Sequence, residues 1–130
     1  MVPLLVLVSG CIEVLFGVSA ILMPAMVLSG VGGTAADAAT LSLIRLLGVA
    51  TFGLGVGALL GRNWAAAIGD HTTAYGLGSY AAIALAVYNI LASPALLYGA
   101  LQTGSQGLWA GGVLHGVIGL LFIVALVRRR

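Results

Sequence analysis

Four side chains in this sequence have the chemistry to bind or to exchange protons while sitting in apolar surroundings: Glu13, Arg45, Asn89 and His115. An acid, a cation, an amide and an imidazole together supply donors, acceptors and charge of both signs. Each is embedded in a long hydrophobic run. An ionisable group at membrane depth costs roughly 2.5–3.5 kcal/mol on insertion scales, so it normally faces a protein interior or a cavity. The spacing therefore predicts one intramembrane polar cluster. Its core would be a Glu13–Arg45 ion pair, with Asn89 and His115 completing the hydrogen bonds. Such a cluster either fixes helix register or lines a pocket for a quinone, a lipid headgroup or a small amphiphile.

His115 carries a second expectation. Gly111 precedes it by one turn, with Gly112 and Gly119 nearby. Small residues beside a membrane histidine leave room for a flat macrocycle, so haem or bacteriochlorophyll ligation is an alternative. His71 falls at the opposite end of its span and cannot be the second axial ligand in the same bundle. There is no HExxH, GxSxG, phosphate loop or CxxC motif. Only three acids are present, Glu13, Asp37 and Asp70. The composition thus points away from classical enzyme chemistry. Metal coordination by cysteine clusters is excluded, because Cys11 is alone.

The elements that must hold these residues follow from hydropathy. The chain has 130 residues, 62% hydrophobic and 6% charged, with a mean hydropathy of +1.21. Soluble domains carry about 25% charged residues, so most of this surface must face lipid. Crossing a bilayer takes about 20 apolar residues. Four segments qualify: residues 3–28, 40–60, 72–97 and 108–127. The expected fold is an all-α transmembrane four-helix bundle forming a single domain over 1–130. Counted at ~1.5 Å per residue, Glu13, His115, Arg45 and Asn89 lie between about 13 and 24 Å from one membrane face.

The intervening stretches read as loops. Residues 29–39 are Gly-rich with Asp37 near a helix start. Residues 61–71 hold Arg62, Asn63, Trp64, Asp70 and His71, with Asp70 as the expected cap of the third span. Arg62 and the run Arg128 to Arg130 fall on one side, and the other two loops have no basic residue. By the positive-inside rule both termini face the cytoplasm, with Trp64, Tyr98 and Trp109 at the interfaces. The net charge of +2 is too small to suggest nucleic acid. Val8-Ser9-Gly10-Cys11 resembles a lipobox, but no basic stretch precedes the apolar run. Cys11 is expected instead as a small buried residue of the first helix.

At an offset of 70 residues, Pro24-Ala25 aligns with Pro94-Ala95, Arg45 with His115 and Phe52 with Phe122. One consequence would be two similar helical hairpins related by an axis along the membrane normal. There are 20 glycines, many at helical spacing. Gly10 and Gly17 share a face with Glu13 and Ala20 on the first helix. Gly53, Gly57 and Gly61 form a four-residue ladder on the second, and Gly112 and Gly116 do so on the last. Small residues let helices approach closely in lipid, so these faces are expected to pack within the bundle or against another subunit.

Arg45-Leu46-Leu47-Gly48, followed by Phe52 and Gly55, resembles the Arg-x-x-x-Gly…Phe…Gly signature of DoxX-like small membrane proteins. Pro24 near the end of the first helix and His115 in the last extend the likeness. It departs from the family in helix placement, since the DoxX-like arginine usually opens the first helix. The resemblance implies a bacterial inner-membrane protein of unsettled function, sometimes associated with redox complexes. Taken together, the leading expectation is a small non-catalytic multi-pass subunit. It would pack in or with a larger membrane complex, respiratory or photosynthetic, or associate with itself.

Overall fold

The computed structural model describes residues 2–34, 37–67 and 71–128, and side-chain surroundings outside 62–79. The described residues are helical apart from short connections. In chain order the helices are α1 (Val2–Leu22), α2 (Pro24–Gly30), α3 (Ala38–Ala67), α4 (His71–Thr103) and α5 (Gln106–Val127). Four of them, α1, α3, α4 and α5, contain segments long and apolar enough to cross a membrane. The chain is an all-α bundle, as its hydropathy predicts.

The first expected span, 3–28, is two helices. α1 stops at Leu22, Met23 leaves the helical region (φ −130°, ψ 55°), and Pro24 opens α2 at its first turn. A proline ring disfavours the helical conformation in the residue before it, while its own fixed φ suits a helix start. Pro94 behaves differently. It lies inside α4, which runs on to Thr103 instead of ending at 97. The two prolines that align across the proposed repeat therefore do opposite things. The expected 61–71 loop is also mostly helix, because α3 extends through Ala67 and α4 begins at His71. Its stretch of consecutive alanines, Ala65 to Ala67, favours helix. Asp70, expected to cap α4, lies outside the described residues.

Caps fix two helix starts. The Asp37 carboxylate accepts from the Thr40 backbone N–H (2.9 Å) and the Thr40 hydroxyl (2.7 Å), opening α3. The Ser105 hydroxyl accepts from the Leu108 N–H at 3.3 Å, opening α5. Gly104, between α4 and α5, has φ +69°, which an L side chain tolerates poorly.

α1 packs mainly on α3 and α4 on α5, and α3 joins the pairs through α4. Near the α1 N-terminus the core is Val2, Val6, Ala58, Ala82, Leu85, Ala86, Ile118, Phe122 and Ala125. At the other end, a Cβ on Gly107 would overlap the Gly30 carbonyl, so α2 closes over the α4–α5 turn. Leu, Ile and Val side chains stand exposed along all four long helices. Cys11 is exposed, not buried. It follows Gly10 by one position and so leaves the packed face that Gly10, Glu13, Gly17 and Ala20 share.

Candidate functional site: a buried polar layer between three helices

α1 supplies Ser9 and Glu13, four residues apart and so stacked on one face. Both are 1% exposed. α4 supplies Tyr88 and Asn89, and Asn89 is fully buried at 0% exposure. α5 supplies His115, half-buried.

Asn89 is the hub. Its Nδ2 donates to the Leu85 carbonyl at 2.7 Å and to the Ser9 hydroxyl at 3.1 Å. Its Oδ1 lies 2.7 Å from His115 Nδ1. A backbone carbonyl can only accept, so the Leu85 contact fixes which end of the amide carries the hydrogens. Oδ1 must then face His115, and His115 Nδ1 must be the donor. The tautomer is thus set by a carbonyl one helical turn away. One amide consequently ties α1, α4 and α5 together at a single level.

Glu13 occupies the other side of the layer. Tyr88 engages its carboxyl through a side-chain hydrogen bond. The remaining oxygen, Oε1, is buried with no hydrogen-bond partner. The Tyr88 ring meets the His115 ring edge to face, with centroids 5.5 Å apart and planes at 84°. Buried polar atoms are almost always satisfied, so an orphan carboxyl oxygen marks this point of the layer as unusual.

Three of the four expected residues, Glu13, Asn89 and His115, belong to this layer. Arg45 does not. It lies on the exposed surface of α3 and makes no pair with Glu13. The reason is rotational: the α3 face that meets α1 is set by Gly48 and Gly55, and Arg45 is turned away from it. What α3 buries instead is Thr51, whose hydroxyl returns to its own backbone at Leu47 O and Gly48 O, both 3.1 Å. Ser9 and Tyr88 are the members that sequence reasoning missed. Their signals were present, since Ser9 is one turn before Glu13 and Tyr88 adjoins Asn89. Serine and tyrosine are simply common enough in membrane helices to pass unnoticed.

The glycines around His115 do not leave open room. A Cβ on Gly111 would meet Leu96 Cδ1 at 3.4 Å, one on Gly112 would meet Leu97 at 2.7 Å, and one on Gly119 would meet Ile90 Cγ1 at 3.1 Å. α4 fills the space a macrocycle would need on that side. Among the described residues, no three His, Cys, Asp or Glu side chains gather as a metal site.

Glycine positions also sort by face. Gly10 and Gly17 approach α3 so closely that an added Cβ would lie 3.0 Å from Leu59 and 2.6 Å from the Phe52 backbone nitrogen. Gly116 meets Ser93 Oγ at 2.9 Å on α4. Gly53 and Gly57, expected among the packing glycines, have nothing within 4 Å of a Cβ position. Gly48 and Gly55 take the internal role on α3. Gly61 is half-buried. Comparison with known protein families, with curated sequences and with solved structures yields no match.

Proposed function

We propose that this chain is a non-catalytic membrane subunit that docks another membrane-spanning helix on the free face of α3. The observation that carries this reading is the exposure of Gly53 and Gly57, four residues apart on one face, with nothing among the described residues within 4 Å of a Cβ position. In lipid no hydrophobic force drives helices together, so close backbone approach between small residues is the main source of association. The flanking exposed residues Leu46 and Leu60 would supply the interlocking side chains. The partner is a further subunit of a larger membrane complex or a second copy. The setting we infer is the bacterial inner membrane with both termini cytoplasmic, supported by Arg62 and the terminal arginines.

The test is the double substitution Gly53→Ile with Gly57→Ile in protein extracted in mild detergent. Loss of the higher-order species with unchanged helicity and melting supports the reading. Recovery of wild type only as a monomer carrying a bound substrate would sink it.

A second reading has its own observation. The orphan Glu13 Oε1 supports binding of a small donor-bearing amphiphile, such as a quinol, against the polar layer. Glu13→Gln should then abolish quinol binding measured by fluorescence quenching. Unaltered binding in that variant disposes of the idea.

A further inference from the structure

Arg45 is a charge in the wrong place for the bundle, and its position identifies what surrounds it. It is exposed on α3, a helix whose segment Ala38–Gly61 is long and apolar enough to span the membrane. It stands seven positions after Ala38, the start of α3, so its Cα lies about 10 Å inside the helix end. Helical side chains lean toward the N-terminus, and long basic side chains extend to bring their charge to the interface. For α3 that direction is toward the nearer membrane surface. The guanidinium is thus carried to the depth of lipid headgroups, not to the bilayer centre.

Among the described residues no carboxylate of the chain pairs with it. Glu13 is buried between α1 and α4 and engages Tyr88. Asp37 caps α3 through Thr40. Asp70, the remaining acid, follows the far end of α3 in the sequence. Below Arg45 on the same helical face lie Val49, Phe52 and Val56, at i+4, i+7 and i+11. Val49 and Phe52 are exposed and Val56 is half-buried. A cation at headgroup depth above an apolar strip matches the two ends of one phospholipid. The planar guanidinium takes phosphate oxygens bidentately, while the strip covers an acyl chain.

We propose that Arg45 with Val49, Phe52 and Val56 forms a phospholipid site on α3, read through the lipid phosphate. The site lies beside the Gly53/Gly57 face and does not depend on what docks there.

The experiment is native mass spectrometry of the full chain released from nanodiscs. The probes are phosphatidylglycerol and a diacylglycerol of the same chains, which lacks the phosphate. The wild type should retain phosphatidylglycerol and lose diacylglycerol. Arg45→Gln should lower retention about tenfold, the scale of one charge-assisted bidentate contact. Arg45→Lys keeps the charge without the fork and should fall between. Arg128→Gln removes the same charge at the far end of α5 and should change little. Equal retention of diacylglycerol by the wild type overturns the proposal without needing any variant to fold. So does an equal loss in Arg128→Gln, which would mean general electrostatics. Photocrosslinking from position 45 to a protein in place of lipid would assign the arginine to a protein partner and also overturn it.

Discussion

The α1–α3 seam and the α4–α5 seam are both lined with glycine, yet they are built differently. Along α1–α3 the glycines face mainly backbone, with Gly10 meeting the Leu59 side chain. A Cβ on Gly17 would meet Phe52 N and Gly48 O, one on Gly48 would meet Gly17 O, and one on Gly55 would meet Gly10 O and Val14 N, all within 2.8 Å. Along α4–α5 they face mainly side chains: Leu97 at Gly112, Ser93 at Gly116 and Ile90 at Gly119. The first seam is two backbones in contact at seven-residue spacing, Gly10 and Gly17 against Gly48 and Gly55. The second is a conventional side-chain seam with small residues as sockets. It is also laced by polar bonds, from Ser93 Oγ to Gly112 O (2.8 Å) and from His115 Nδ1 to Asn89 Oδ1 (2.7 Å). Contact between backbones cannot relax by rotating a side chain, whereas a socket can. The comparison teaches that the two halves resist substitution by different means, in spite of their weak sequence repeat.

The largest expected effect is at Gly17. Gly17→Ala puts a methyl group 2.6 Å from Phe52 N, so α1 and α3 must separate along their length. We expect a loss of about 3 kcal/mol or more, the upper end of overpacking costs, read as a drop in unfolding midpoint in detergent. Tolerance of alanine there would break the distinction between the seams.

Asn89→Ala comes next. It removes the hub of the polar layer and leaves the Ser9 hydroxyl and His115 without their partner, while the Leu85 carbonyl keeps its bond within α4. A cost of about 1–3 kcal/mol follows from stranded buried groups. The His115 ring nitrogens should also lose their single tautomer in nitrogen NMR. An unchanged spectrum would show that Asn89 does not set it.

Gly116→Ala is predicted to cost about 1 kcal/mol or less, because the atom in its way is a serine hydroxyl at the end of a side chain. A penalty equal to that of Gly17→Ala would erase the contrast between the seams. The smallest effect concerns the helix caps. Thr40 bonding holds the Asp37 carboxyl below its ordinary value of 3.8. A depressed folded value means the cap contributes above the ordinary value and is lost as pH falls through the lower folded one. Hydrogen exchange at the Thr40 amide should accelerate only at that acidic end. The Ser105 cap of α5 has no titrating group and should not change with pH.

Much of the fold is legible in the chain because lipid leaves few options. Backbone groups in a bilayer must be satisfied within a helix or a closed barrel, so long apolar runs read directly as spans. That Glu13, Asn89 and His115 meet in one polar layer was legible for a related reason, since buried polar groups in lipid must find partners. Arg45 was misplaced because height along a span is countable but rotation is not. The same uncertainty left open whether Gly53 and Gly57 pack inside the bundle or against another subunit; inside it, Gly48 and Gly55 hold that position. The break at Met23 and the uninterrupted passage of α4 through Pro94 show that even a proline is decided by its surroundings.

By itself, then, the sequence determined an all-helical bundle with four segments long and apolar enough to cross a membrane and the position of each polar residue along them, because hydropathy and rise per residue are local properties. Only the tertiary structure decided that Glu13 faces Tyr88 instead of Arg45, and that Asn89 is the joint between three helices. It alone showed which glycines are inside and which are open. Those outcomes depend on the azimuth of each helix, which is set by the best mutual packing of all of them and is encoded in no single segment.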